Sequence, residues 1–322
     1  MNYKHSMMKR KSKQITALIL ACLLAAGCTQ ADMMTGNGVT CPAGRVPLAI
    51  GSADVQTGVP DTRAAQTLGA GASIGVFLNN ASGVTSYTPM KNVRYDCVST
   101  AWNPVTESVR IYLTSDKADV CAYYPYDASV TGASAVSLTP RILADGISPL
   151  AYATNQTVDD DNMNVTFSMT QACSWLVIDF KRGNTKDDIT LSEFSLTNSG
   201  LYKESVLNIT DGSSTGNTVA DGGTLTFTGD IALPKNSTVT RNLSMPPSPM
   251  LTGGVKVSVK VKDYGNKVLS TTLTGLTALQ RGYKYALTIT VDGDGLGVAS
   301  VEILPWTENT VNNGGNPFIP LP

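Results

Sequence analysis

Along most of the chain, apolar and polar residues alternate with the two-residue period of a strand. In VKVSVKVK, residues 255–262, Val255, Val257, Val259 and Val261 share one face, and Lys256, Ser258, Lys260 and Lys262 the other. KYALTITV repeats the pattern with Tyr285, Leu287, Ile289 and Val291. Similar runs occur in SVRIYL, VCAYYPY, VTFSMTQACSWLVIDF, ITLSEFSL, GTLTFTG and STVTRNLSM, each bounded by Gly, Pro, Asn or Asp. No stretch sustains a helical period with caps. The reading is an all-β chain of about 15 short strands, which typical domain sizes divide into two β-sandwiches in tandem. The acidic loop at residues 155–164 is the expected boundary, and no internal sequence repeat stands out.

The first strand-like run, VPLAIGSADV at 46–55, places Val46, Leu48 and Ile50 on one face. Pro47 suits an edge strand, where a missing N–H costs no ladder bond. The loop after it, Gly58-Val59-Pro60-Asp61-Thr62, ends on a single basic residue, Arg63, followed by Ala64. A loop of this composition is readily reached by proteases.

Ahead of these residues, Lys4, Lys9, Arg10, Lys11 and Lys13 precede an apolar run, Ile15 to Ala26, that is too short to cross a bilayer. This is a secretory signal. Ala25, Ala26 and Gly27 before Cys28 resemble the lipobox of bacterial lipoproteins, in which the cysteine is acylated. Cys22 is a poorer second candidate, and an ordinary cleaved signal is the alternative. Removing residues 1–27 takes away five of the 24 Lys and Arg and no acid, leaving 19 basic against 25 acidic side chains. The resulting charge of −6 argues against nucleic acid as a partner.

The one histidine, His5, lies in the signal, which excludes histidine-dependent nucleophilic, acid-base and zinc chemistry in the mature chain. Cys41, Cys97, Cys121 and Cys173 show no metal-ligand spacing and read as buried thiols, with a disulfide as the alternative. Asp159, Asp160 and Asp161, like Asp187 and Asp188, sit in turn-like stretches. GAGASIG at 69–75 leads into a strand rather than a helix and cannot cradle phosphate. VDGDGLG at 291–297 begins like a calcium loop, but Leu296 and Ile303 stand where ligands belong, so it reads as a turn. No metal or cofactor is expected. Tyr123, Tyr124 and Tyr126 with Trp102 and Trp175 read as packing residues, with a sugar-stacking platform as the alternative.

Several landmarks occur in order: TRA at 62–64, SIGVF at 73–77, AYYPY at 122–126, PLAYAT at 149–154, VTFSMTQACSWLVIDF at 165–180, LQRGYKYALTITV at 279–291 and VEILPW at 301–306. In these the chain resembles the fimbrillin-like (Mfa-like) lipoproteins and type V pilins of Gram-negative bacteria. It departs from many relatives in carrying Gln171 where they carry a histidine.

The resemblance implies two transthyretin-like sandwiches, exported as an outer-membrane lipoprotein acylated on Cys28 and displayed at the cell surface as a fimbrium. It further implies a cut by an arginine-specific protease, which Arg63 and Ala64 fit by position. The cut would remove the first strand, whose groove then accepts a C-terminal strand from another pilin subunit. The implied organisation is signal 1–27, propeptide 28–63, domains 64–162 and 163–297, and donor tail 298–322. Burial of Val46, Leu48 and Ile50 at about 1.5–3 kcal/mol each makes an empty groove cost about 4–9 kcal/mol, comparable to a whole domain's stability. In the tail, Val301, Ile303 and Trp306 carry the strand-like apolar pattern, and Asn312-Asn313-Gly314-Gly315 is a flexible hinge. Alternatively residues 298–306 complete their own sheet. A monomeric or anchoring surface lipoprotein that binds a glycan or host protein is the second reading of function, and a carboxylate glycosidase the third.

Overall fold

The computed structural model describes residues 41–57, 64–143, 150–182, 187–292 and 295–305. The elements named below lie within the compact unit Gly44–Pro322. The chain runs through β1 (Val46–Pro47), β2 (Ala49–Thr57), β3 (Ala64–Thr67), β4 (Ser73–Asn80), β5 (Met90–Val98), β6 (Ala101–Pro104), β7 (Tyr112–Leu113) and β8 (Ala118–Tyr124). It continues through β9 (Val136–Leu138), β10 (Arg141–Leu143), β11 (Ala151–Val158), β12 (Asn164–Gln171), β13 (Ser174–Arg182), β14 (Ile189–Thr197) and β15 (Tyr202–Leu207). The last elements are β16 (Ser214–Val219), β17 (Thr224–Leu233), β18 (Thr238–Met245), β19 (Val255–Val261), β20 (Lys267–Leu273), β21 (Tyr283–Asp292) and β22 (Gly295–Pro305). Among the described residues the helical content is three short 3-10 turns, and no helix is long and apolar enough to cross a membrane.

The first sandwich is one eight-stranded sheet in the order β3-β2-β12-β11-β8-β4-β5-β6. It curls until β6 returns beside β2, and the Leu48 N–H donates to the Ile111 carbonyl at 2.9 Å. Inside lie Leu48, Ala53, Val55, Ile74, Val76, Tyr95, Val120, Phe167 and Met169. The second sandwich stacks the sheet β10-β18-β13-β21-β22 on the sheet β17-β14-β19-β20. Its core holds the four alternate valines of β19 and Tyr285, Leu287, Ile289 and Val291 of β21, the faces that the sequence pattern marks. Phe194 joins the layers, with its ring centroid 5.5 Å from that of Phe180 and 4.8 Å from that of Phe227.

Two expectations need correction. SVRIYL is not one strand: Glu107–Val109 form a 3-10 turn, and only Tyr112–Leu113 pair. Arg110 forks onto the Glu107 carboxylate with two 2.5 Å hydrogen bonds, a local alternative to extension. The acidic loop is not the boundary between sandwiches either, because β12 lies in the first sheet, paired with β11 and β2. Asp159 Oδ1 accepts the Asn162 N–H at 2.8 Å, so the loop is the turn of the β11–β12 hairpin. By sheet membership the chain changes sandwich at Ala172 and Cys173, between β12 and β13. Before that point, β10 already pairs with β18, and β9 with β15 in the sheet β16-β15-β9.

The sandwiches meet through a third apolar cluster that includes Phe77, Cys121, Tyr123, Leu138, Tyr152, Cys173, Leu207 and Ile209. Arg281 ties this junction. Its Nη1 donates to the Tyr152 hydroxyl at 2.6 Å and to the Gly212 carbonyl at 2.8 Å, and its Nη2 donates to Ser214 Oγ at 2.5 Å. The Gly282 N–H donates to the Cys173 carbonyl at 3.0 Å. The landmarks at 149–154, 165–180 and 279–291 are therefore spatial neighbours. Gln171 lies near this turn of the chain, buried, with neither side-chain polar atom bonded among the described residues. SIGVF and AYYPY also belong together, because a Cβ on Gly75 would overlap the Tyr123 ring.

Among the described residues, Cys41, Cys97, Cys121 and Cys173 are free thiols. Burial pushes the Cys97 and Cys173 thiols up, and pushes Cys121 up to about 12. Since the thiolate is the nucleophile, maleimide near neutral pH is expected to label Cys41 and spare the other three until the protein is unfolded. Rapid labelling of Cys121 in the folded protein would contradict the packing.

Candidate functional site: a core strand next to a hairpin loop

β2 fills the first core from within the sheet. Leu48 is 2% exposed, Ile50 8%, and Ala53 and Val55 0%, while Val46 packs partly buried against the same cluster. The three residues expected on the inner face are thus there, joined by Ala53 and Val55. Inner positions run 48, 50, 53, 55, and the change of parity is a bulge: Ile50 pairs with Val165 and Ser52 with Thr166, leaving Gly51 as the extra residue. A glycine inside a strand pattern is the signal that could have located it.

The position of β2 departs from expectation. It is not an edge strand. It runs parallel to β12 on one side, and on the other its second half is covered by β3, with Asp54 opposite Thr67 and Thr57 opposite Ala64. β2 and β3 are antiparallel, and residues 58–63, Arg63 among them, lie between the two strands in sequence. Thr67 Oγ1 donates to Asp54 Oδ1 at 2.5 Å, and Ser52 Oγ to Oδ2 at 2.7 Å. Pro47 sits in β1 opposite Tyr112, outside the β2 ladder.

At the other end, β22 is the outermost strand of its sheet among the described residues, antiparallel to β21. Val301 lies opposite Leu287 and Ile303 opposite Tyr285. Ile303 stays 50% exposed. In this subunit, then, residues 295–305 pair with their own sheet. Beneath them Lys284 is buried with its Nζ 4.5 Å from the Trp175 ring centroid, and burial holds its ammonium below the ordinary lysine range against the pull of Asp179 and Glu302. Cys28, Arg63 and Trp306 lie outside the described residues, and for Ala64 the structure gives only its place at the start of β3.

The aromatic residues do not form a common exposed platform: Trp102, Tyr123 and Tyr124 are buried in the cores. A cleft of about 510 Å³ opens near the junction, lined in part by Tyr126, Asp127, Arg141 and Ser244. Among the described residues no His, Cys, Asp or Glu cluster is arranged to hold a metal ion.

Two β-sandwiches that share an apolar cluster at their junction define an all-β, strand-built protein. The family model for fimbrillin-like proteins matches residues 62–306, and the chain belongs to that family. It is a fimbrial subunit of the cell surface. No curated protein matches the chain. Among solved structures, the chain is similar to a Bacteroides ovatus protein described as a "putative cell adhesion protein", with TM-score 0.58 and 18% identity over 82% of this chain and 99% of that one. Proteins of the same description from Bacteroides uniformis (0.54, 21%, 83% and 100%) and Bacteroides fragilis (0.51, 14%, 83% and 100%) are also similar. At these identities the likeness shows the fold.

Proposed function

We propose that the protein is a pilin made as a lipoprotein on Cys28, cut between Arg63 and Ala64, and polymerised by strand exchange. The cut would release residues 28–63 with β1 and β2. The vacated slot, between β12 and β3, would receive the tail of a neighbouring subunit, with Val301, Ile303 and Trp306 as its apolar residues. The observation that carries this reading is the hairpin: one peptide bond beside Ala64 separates a strand that fills the core from the rest of the sandwich. Leu48, Ile50 and Val55 alone contribute about 4.5–9 kcal/mol. An empty slot would therefore cost as much as the domain's stability, and a replacement strand is required.

The ladder between β21 and β22 favours a second reading, in which the tail stays on its own sheet and the chain serves as a monomeric or anchoring lipoprotein that binds a glycan or host protein. The N-terminal sequence of protein recovered from cell surfaces separates the two. Ala64 as first residue is the expected result. An intact acylated Cys28 would favour the anchor, and a start at Val46, after Arg45, would leave β2 in place and overturn the slot.

A further inference from the structure

The register of the two strands exposes a correspondence that the bare sequence hides. In β2 and the residue just before it, the inner positions are 48, 50, 53 and 55, with Gly51 as the bulged residue. In β22, Val298 lies opposite Ile289 and Ser300 opposite Thr288, so Ala299 is the extra residue. Positions facing the buried residues of β21 are therefore 296, 298, 301 and 303, the same spacing with the bulge at the same place. Aligned on the bulge, LAIGSADV at 48–55 stands over LGVASVEI at 296–303. Leu48 and Ser52 are matched by Leu296 and Ser300, and every other position differs by a conservative step: Ala/Gly, Ile/Val, Gly/Ala, Ala/Val, Asp/Glu and Val/Ile.

Resting on the strand-exchange reading, we propose that residues 296–303 of one copy occupy the positions of residues 48–55 in the next. They lie parallel to β12, with Ala299 as the bulge and Glu302 in the place of Asp54. The slot accepts each change. A Cβ at Gly51 would lie 3.6 Å from the Val165 carbonyl oxygen and 3.9 Å from Thr166 Oγ1, ordinary contacts that admit Ala299. Ser300 and Glu302 keep the hydroxyl and carboxylate that Ser52 and Asp54 hold two residues apart. Thr67 belongs to β3 and stays with the mature chain, so its hydroxyl is left to donate to Glu302 of the neighbour. Burial supplies a reason to move: Ile303 is 50% exposed on its own sheet, whereas Val55, whose place it takes, is 0% exposed. A bulge shared by strand and slot also fixes the register, because a slip of one residue turns the apolar set outward.

The test uses two populations of the full chain, one carrying Thr67→Cys and the other Glu302→Cys, mixed, cut with an arginine-specific protease and oxidised. Any link between residues 67 and 302 must then join two copies. Asp54 and Thr67 are directly opposed, a separation that a disulfide spans. The expected result is a 67–302 disulfide as most of the linked material, mapped by peptide mass. Preferential linkage of Thr67→Cys to Ser300→Cys or Leu304→Cys would overturn this register while leaving strand exchange intact. Absence of linkage with all three would overturn strand exchange at this slot. A second pair of variants is independent of thiols. A chain with LAIGSADV in place of residues 296–303 is expected to polymerise like the parent, whereas deletion of Ala299 is expected to abolish polymer in a protein that still folds and is cut. Normal polymer from the deletion would sink the shared bulge.

Discussion

Cells carrying Arg63→Ala are expected to make no polymer and to accumulate full-length acylated subunit. Residues 58–62 hold no other basic side chain for an arginine-specific protease, so the effect should approach complete loss rather than slowing. The fold should be untouched, since the β2–β3 ladder from Asp54 and Thr67 to Thr57 and Ala64 uses none of the replaced side chain. Arg45→Ala is the control and should have little effect, because a cut there falls before Val46 and leaves both β1 and β2 attached. Gel analysis of surface fractions under non-dissociating conditions gives the readout. Polymer of normal length from Arg63→Ala cells would contradict the processing scheme.

Truncation after Gly297 is the second large expected effect: a folded subunit, cut normally at Arg63, that cannot donate. The second core is built from β13, β14, β17, β18, β19, β20 and β21, and Leu296, which packs against it, is retained. Of the side chains lost, Glu302 is exposed and Ile303 is half exposed, so Ile303 gives up about half of the 1.5–3 kcal/mol of a fully buried aliphatic side chain. The strand-exchange reading expects thermal unfolding to shift modestly while polymer disappears. Size-exclusion chromatography of the protease-treated protein should show a monomer that takes up a synthetic peptide of residues 298–322. An unfolded or aggregated product would instead mean that β22 is an integral part of its own sandwich.

Both cores were legible because alternation is a direct imprint of burial on one face. Val255 to Val261 and Tyr285 to Val291 need no tertiary information to be placed. The candidate strand was legible for the same reason, through Val46, Leu48 and Ile50. What escaped were features decided by pairing. The stretch 155–164 has a linker's composition, but a hairpin turn has the same composition, and only the pairing of Ala151 with Gln171 distinguishes them. β3 is four residues long, and nothing in AAQT announces that it will cover β2. The likeness of residues 48–55 and 296–303 escaped because only two of eight positions are identical, and the rest becomes visible when the bulges at Gly51 and Ala299 align the faces.

The two-residue passage from β12 to β13 carries a mechanical consequence. In a fibre built by strand exchange, a pull on the donor strand enters the acceptor through β12, beside which that strand would lie. It leaves through β13 to its parallel partner β21, the strand that precedes the donated residues in the chain. Tension would then cross each subunit along one unbroken stretch of chain, residues 164–182, with Ala172 and Cys173 as its only joint. Shear along the strands loads many backbone hydrogen bonds together, while the joint is braced from the side by the Gly282–Cys173 hydrogen bond and the Arg281 clamp. Elastic extension of such a fibre should therefore be governed by the seam between copies and by bending at Cys173, long before either sandwich unravels.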